Sequence, residues 1–122
     1  MHTSPITKVQ QEIPIVQKLY DLYKTFYGFA VLFPKKDKYT LGAKCEQYII
    51  NTLELILAAS AVTPAEKLGL LRQANVKFDT LKVFLRLSRE IGAIDAKKYL
   101  VLQREIQEIG RMLGGWQRSL SA

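Results

Sequence analysis

Histidine and cysteine are nearly absent from this 122-residue sequence, which contains only His2 and Cys45. A single cysteine excludes an internal disulfide and any zinc site built on paired cysteines, and it is typical of a reducing compartment. One histidine in a polar N-terminal segment cannot assemble a catalytic triad or a metal centre. We therefore expect no metal and no cofactor, a cytoplasmic location, and a Cys45 that acts as a small buried hydrophobe.

Acidic residues are also scarce relative to basic ones. Eighteen Lys and Arg stand against eleven Asp and Glu, which gives a formal net charge of +7. This excess favours nucleic acid, an anionic surface or an acidic partner. The carboxylates Glu46, Glu54 and Asp79 are far apart in the sequence, and no histidine is near them to form an acid–base pair. An enzyme is therefore the least favoured class.

Long apolar runs are missing as well. The longest apolar stretch, Tyr48 to Val62, is interrupted by Asn51 and Glu54, whereas a membrane span needs about twenty apolar residues. We therefore expect no membrane segment. Because nearly half of this short chain is hydrophobic, one domain with one core is predicted.

Turn residues divide the first half of the chain into a tail and two helices. Residues 1–13 lack helical periodicity for most of their length and are predicted to form a flexible N-terminal tail, with the first helix beginning at Pro14. This helix is expected to end near Phe33-Pro34, since proline disfavours helical geometry in the residue before it. A charged loop, Lys35 to Lys38, then leads to a second helix from Leu41 to Ala61.

The second half of the chain contains clearer boundary signals. Thr63-Pro64-Ala65-Glu66 matches the capping box and predicts a third helix that runs to about Ile91. Gly92 supplies a left-handed stop, and Asp95 is a suitable N-cap for a fourth helix that extends to Gly114-Gly115. The helical domain is thus predicted over residues 14–119, with a C-terminal tail at 120–122. Short connections favour an all-α, antiparallel, up-down-up-down four-helix bundle.

Apolar residues on the second helix exceed what a one-sided helix requires, and aromatic residues cluster on the first. The second helix is apolar on nearly all sides, which indicates burial on several faces and suggests contact with a neighbouring subunit. The first helix contains an aromatic cluster that we interpret as core, in preference to a base-stacking platform. The cluster consists of Tyr20, Tyr23, Phe26, Tyr27 and Phe29.

Basic residues recur at helical spacing on the third and fourth helices. On the fourth helix, cations appear every seven residues opposite the apolar row that begins at Tyr99, so they share one side of the helix. On the third helix, three cations at i, i+4 and i+7 also share a face. The candidate contacts for nucleic acid or an acidic partner are Lys82, Arg86, Arg89, Lys97, Lys98, Arg104, Arg111 and Arg118; secondary candidates are Lys35, Lys36 and Lys38.

A second interpretation of these cations requires no ligand. Charge runs are often only the solvated face of a helix, and Glu90, Glu105 and Glu108 stand close enough in sequence to form i, i+3 or i, i+4 pairs with them. The acids do not balance the whole set of cations, which favours a polyanion partner.

Five segments, spread over three helices and their loops, form one pattern: Phe33-Pro34, Lys38 to Gly42, Phe78 to Lys82, Phe84 to Leu87, and Glu108 to Trp116. This pattern closely resembles the accessory variability determinant (Avd) family of diversity-generating retroelements. The resemblance spans roughly residues 14 to 119. Four-helix proteins encoded in intervening sequences of bacterial 23S ribosomal RNA share the helix plan but usually have a Gly-Leu-Thr-like start to the second helix, where this chain has Tyr39-Thr40-Leu41-Gly42.

The resemblance implies a homopentamer of four-helix protomers arranged as a tapered barrel. It also implies a protein that binds RNA or DNA, associates with a reverse transcriptase and its template RNA or RNA/DNA hybrid, supports mutagenic copying, and catalyses nothing itself. No small-molecule substrate is expected. The alternative is a structural or interaction protein of the ribosomal intervening-sequence type, with no retroelement role.

Overall fold

The computed structural model describes the backbone of residues 3–121 and the side chains of residues 14–121. This part of the chain contains four long helices and no strand, which confirms the predicted all-α fold. A short helical turn, Lys35–Asp37, and a π-helical turn, Lys38–Gly42, lead directly into the second long helix. The long helices are α1 (Thr3–Ala30), α2 (Ala43–Ser60), α3 (Pro64–Glu90) and α4 (Ala96–Ser121).

The four helices form a ring in which each packs mainly against two neighbours. Helix α1 contacts α2 and α4, and α3 contacts α2 and α4. Between α2 and α3, the ring of Tyr48 stacks on Phe84, and Lys67 Nζ donates to the carbonyl of Ala59 at 2.7 Å. Because residue numbers rise along α2 as they fall along α3, these two helices are antiparallel. The other three pairs of neighbouring helices are antiparallel as well.

The core follows an alternating three- and four-residue spacing. This average period of 3.5 residues is that of knobs-into-holes packing in left-handed bundles. On α2 the buried positions are Cys45, Ile49, Thr52, Ile56 and Ala59, and on α4 they are Leu102, Ile106, Ile109, Leu113 and Trp116. None of the described helices has the length and apolarity to cross a membrane.

Helix α1 begins at Thr3, eleven residues before the predicted start at Pro14. Proline has a fixed φ that suits a helix, so it can lie inside one at the cost of a backbone hydrogen bond. The boundary predicted at Pro14 is therefore wrong, and the flexibility predicted for residues 1–13 stays a prediction. His2 lies outside the described residues.

Helix α4 continues through Gly114-Gly115, where it was predicted to stop, and ends at Ser121. Two glycines cost a helix about 1 kcal/mol each relative to alanine. That cost is offset because Trp116 continues the core spacing and is buried, and Leu120 packs against the core as well. The helix thus includes residues 120 and 121, and the predicted division into a domain at 14–119 and a tail at 120–122 stays a prediction. Ala122 lies outside the described residues.

The connection between α1 and α2 is helical where a charged loop was predicted. The carbonyl of Pro34 accepts hydrogen bonds from the N–H groups of Asp37 and Lys38 at 2.9 and 3.0 Å, and the Thr40 hydroxyl donates to the carbonyl of Lys36 at 3.1 Å. These pairings start a helical turn directly after the proline. Phe33 is buried and packs edge-to-face on Phe26, with 5.8 Å between ring centroids.

The boundaries with capping signals are confirmed. Glu66 Oε1 accepts the N–H of Thr63 at 3.4 Å in the predicted capping box. Gly92 has a φ of +84°, the left-handed conformation that ends α3. Asp95 Oδ1 accepts the N–H of Lys98 at 2.8 Å, which caps the start of α4.

Candidate nucleic-acid interface

The predicted row of cations on α4 lies on the outer surface of the bundle. Lys97, Arg104, Arg111 and Arg118 are all exposed, opposite the buried row that includes Leu102. At 1.5 Å per residue, successive members are about 10 Å apart, and the row extends for about 30 Å. The sequence-predicted geometry of this row is confirmed, whereas its ligand stays a prediction.

The three leading cations of α3 are divided by the structure. Lys82 and Arg86 line the groove between α3 and α4. Lys82 Nζ lies 3.2 Å from Asp79 Oδ1 and 5.3 Å from the centroid of the Phe78 ring. Arg89 is half-buried in the last turn of α3, where a cation also stabilises the carbonyl end of the helix.

The glutamates of α4 that could have paired with these cations are engaged elsewhere. Glu108 forms an ion pair of 3.3 Å with Lys18 of α1. Glu105 Oε2 accepts a hydrogen bond of 3.2 Å from the Thr25 hydroxyl, also of α1. Both carboxylates therefore contact α1, and among the described side chains neither lies within 4.0 Å of a cation of the outer row.

Most of the candidate cations are consequently without a carboxylate partner. Among side chains 14–121, Lys82 and Lys98 are the only two of the eight primary candidates with an ion pair within 4.0 Å; Lys98 Nζ lies 2.8 Å from Asp95 Oδ2. The unpaired six are Arg86, Arg89, Lys97, Arg104, Arg111 and Arg118. Their charge is available to an external anion.

Neutral amides line the groove between α3 and α4, and the sequence interpretation missed them. Asn75, Gln103 and Gln107 line a cavity of about 570 Å³, together with Gly110 and Arg111. Gln117 Nε2 donates to Asn75 Oδ1 at 3.1 Å across the same seam. The signal in the sequence was the recurrence of Gln103, Gly110 and Gln117 every seven residues, beside the row of cations.

The secondary candidates Lys35, Lys36 and Lys38 lie on the helical turn before α2. In an antiparallel bundle, the α1–α2 connection and the α3–α4 connection are at the same end, so these lysines share an end with Lys97 and Lys98. Lys35 and Lys36 are exposed. Their role in binding stays a prediction.

The seam between α1 and α2, on the opposite side of the ring from the α3/α4 groove, is apolar. Tyr20, Tyr23, Ile50 and Leu53 line a cavity of about 400 Å³ there. The predicted core role is confirmed for Phe26, which is buried, but Tyr20 and Tyr27 are 55% and 57% exposed. The apolar excess of the second helix is found at this seam, where Leu57 is 50% exposed.

Cys45 is buried on α2, as predicted. Burial raises the pKa of its thiol to about 12, against a smaller lowering by a hydrogen bond with Ser88. The thiol is therefore protonated at neutral pH and is a poor nucleophile. Within the described residues, no group of three or more His, Cys, Asp or Glu could hold a metal ion.

Replacing Glu105 with glutamine is expected to remove a loss of stability that the wild type shows as the pH rises above 4.5, the ordinary pKa of this group. Burial raises the pKa of Glu105, outweighing the hydrogen bond from Thr25, and Oε1 is buried without a partner. The folded state thus holds this proton more tightly than the unfolded chain, and the resulting stability is lost as the carboxyl ionises. Urea midpoints of both proteins at about pH 4 and about pH 7 measure the difference.

The variant Asp95→Asn is the matched comparison, because the carboxyl group of Asp95 changes stability with pH in the direction opposite to that of Glu105. A hydrogen bond with Lys98 lowers the pKa of Asp95, so this carboxylate adds stability as the pH rises. If the urea midpoints of the wild type and Glu105→Gln changed with pH in the same way, Glu105 would not have a raised pKa in the folded state.

The described residues form a small four-helix bundle with a cationic groove between α3 and α4 and an apolar groove between α1 and α2. A family model described as bAvd-like matches residues 13–120. The chain therefore belongs to the bAvd-like family, which confirms the resemblance noted in its sequence. A comparison with curated proteins gave no significant match.

Proposed function

We propose that this chain is a non-catalytic accessory subunit that binds nucleic acid and associates with the reverse transcriptase of a diversity-generating retroelement. The observation that carries the proposal is a set of cations on both sides of the α3/α4 groove, with Arg86 on one side and Arg111 on the other, that form no ion pair with any side chain of residues 14–121. Membership of the bAvd-like family supports the retroelement context.

Cations in this arrangement suit a phosphate backbone. Contacts between Lys or Arg and phosphate give affinity through the release of counterions and do not read sequence. The row on α4 presents positive charge over about 30 Å, and the engagement of Glu105 and Glu108 with α1 keeps acidic groups away from it. An RNA template or an RNA/DNA hybrid matches this chemistry.

A homopentamer is part of the same proposal. Closed rings form through heterologous contacts, in which each subunit needs two different complementary patches. Among the exposed apolar side chains of the described residues, two groups lie on different sides of the bundle: a seam patch of Tyr20, Tyr27 and Leu57, and an α3 patch of Val76 and Leu87. Five copies would bring together roughly +35 charges, a field strong enough to steer RNA.

The proposal is tested by co-purification from cells that express the complete genetic locus. We expect this protein, a reverse transcriptase and its transcript to be isolated together, and the reverse-transcriptase gene to lie near template and variable repeats. An open reading frame embedded in a ribosomal RNA gene, with no polymerase in the purified material, would instead support a structural four-helix protein.

A further inference from the structure

The groove between α3 and α4 is a continuous trough. One cavity of about 570 Å³ and a second of about 220 Å³ are both lined by Lys82 and Gln103. Because they share these two side chains, they are adjacent parts of one depression. Tyr99 lines one part, and Gly110 lines the other.

The trough is lined by neutral amides and by charged side chains, among which Asp79 is neutralised by an ion pair with Lys82, with 3.2 Å between Oδ1 and Nζ. Asn75, Gln103 and Gln107 contribute amides, each of which offers both hydrogen-bond donors and an acceptor. Arg86 of α3 and Arg111 of α4 stand on its two sides, and neither has a carboxylate within 4.0 Å among the described side chains. Phosphate contacts alone would not require the amides.

Packed helices are about 8–10 Å apart, so a depression between them has the width of one extended chain. A double helix would rest on the sides and keep its base edges out of reach of the amides. A single strand exposes its base edges and sugars, which amides can contact while arginines hold the phosphates.

We propose that the α3/α4 trough binds one single strand of nucleic acid, with phosphates along Arg86 and Arg111 and with bases or sugars toward Gln103 and Gln107. This inference rests on the proposed function, since it assumes that the cations bind nucleic acid, and it adds where the strand lies and that it is unpaired.

The sharpest test fills the trough without changing its charge. A Cβ added at Gly110 would have Lys82 Nζ at 4.0 Å as its nearest neighbour, so the outer atoms of a methionine occupy the trough and displace the end of the Lys82 side chain. Gly110→Met is therefore expected to weaken single-strand binding by about tenfold or more, the loss of the contacts of about one nucleotide. A loss caused only by moving this cation would weaken duplex binding as well, which the duplex measurement below detects.

Gly69→Met is the matched control. Gly69 is an exposed residue of α3 with no atom within 4 Å of an added Cβ, and the change of residue and of charge is the same. This variant is expected to bind as the wild type does. Circular dichroism should show both methionine variants to be at least as helical as the wild type, since glycine disfavours helix.

A second variant, Gln103→Ala with Gln107→Ala, tests the amides directly and is expected to weaken single-strand binding as well.

Fluorescence anisotropy with single-stranded RNA, single-stranded DNA and a duplex of the same sequence distinguishes the outcomes. We expect the loss in Gly110→Met to be confined to the single strands; a preference for RNA would locate the amides at the 2′-hydroxyls, and equal loss for RNA and DNA would locate them at the bases. If folded Gly110→Met binds single strands as tightly as Gly69→Met does, the trough is not the site. If the wild type binds no nucleic acid, the proposed function itself is wrong.

Discussion

Changing Lys82, Arg86 and Arg89 together to glutamate is expected to abolish RNA binding and to leave helicity unchanged. The substitution lowers the formal charge of the chain from +7 to +1 and places three negative charges at and beside the α3/α4 groove. Lost phosphate contacts combined with repulsion are expected to weaken binding at least about 100-fold. Titration of structured RNA at about 0.1 M salt, where screening is still moderate, measures the effect, and circular dichroism reports the fold.

A triple variant with the same change of charge separates the groove from the field of the whole protein. Lys24, Lys44 and Lys77 lie away from the groove: the first two are exposed on α1 and α2, and Lys77 shares with Phe84 the side of α3 that faces α2. Because Lys24 lies beside Tyr20 of the seam patch, sedimentation must first show that this variant assembles as the wild type does. Changing these three to glutamate is expected to reduce affinity much less. Equal losses of RNA affinity in the two triple variants would show that net charge alone drives binding. If the variant changed at Lys82, Arg86 and Arg89 bound RNA with wild-type affinity, these α3 residues would not be the contacts.

The helix boundaries show which features the sequence could predict. Thr63 with Glu66, Gly92 and Asp95 were correctly interpreted, because each acts through its own backbone or a neighbour within four residues. Pro14 and Gly114-Gly115 were misinterpreted as boundaries. Both are tolerated inside helices, and for the glycines the burial of Trp116 on the far side accounts for the tolerance.

For the candidate site as well, the sequence predicted features within one helix but not contacts between helices. The seven-residue spacing correctly placed the cations of α4 on the outside, because that period follows from the helix itself. The partners of Glu105 and Glu108 were not predictable from spacing, since Thr25 and Lys18 are 80 and 90 residues away in sequence and meet them only when α1 packs on α4. The amide-lined trough likewise exists only when α3 and α4 are adjacent.

Sedimentation at micromolar concentration is expected to report about five chains for the wild type and one chain after a charge is introduced into either apolar patch. Leu57→Glu changes the seam patch, and Val76→Glu changes the α3 patch; both residues are at least half exposed, so the monomer should still fold. Each substitution alone should dissociate the particle, because every contact in a ring joins the seam patch of one subunit to the α3 patch of the next. A control variant, Gln47→Glu, changes an exposed position of α2 outside both patches and should remain assembled.

Mixing the two dissociated variants tests the same geometry more stringently. Leu57→Glu retains an intact α3 patch, and Val76→Glu retains an intact seam patch, so one good contact can form between them and no second contact can extend it. At high protein concentration the mixture should therefore contain a two-chain species that neither variant forms alone. In the alternative geometry, two subunits would join through the same patch around a two-fold axis. Each variant would then keep or lose that contact by itself, and the mixture would sediment as the sum of the two variants measured separately. A two-chain species in the mixture would thus establish the head-to-tail contact that a five-membered ring requires.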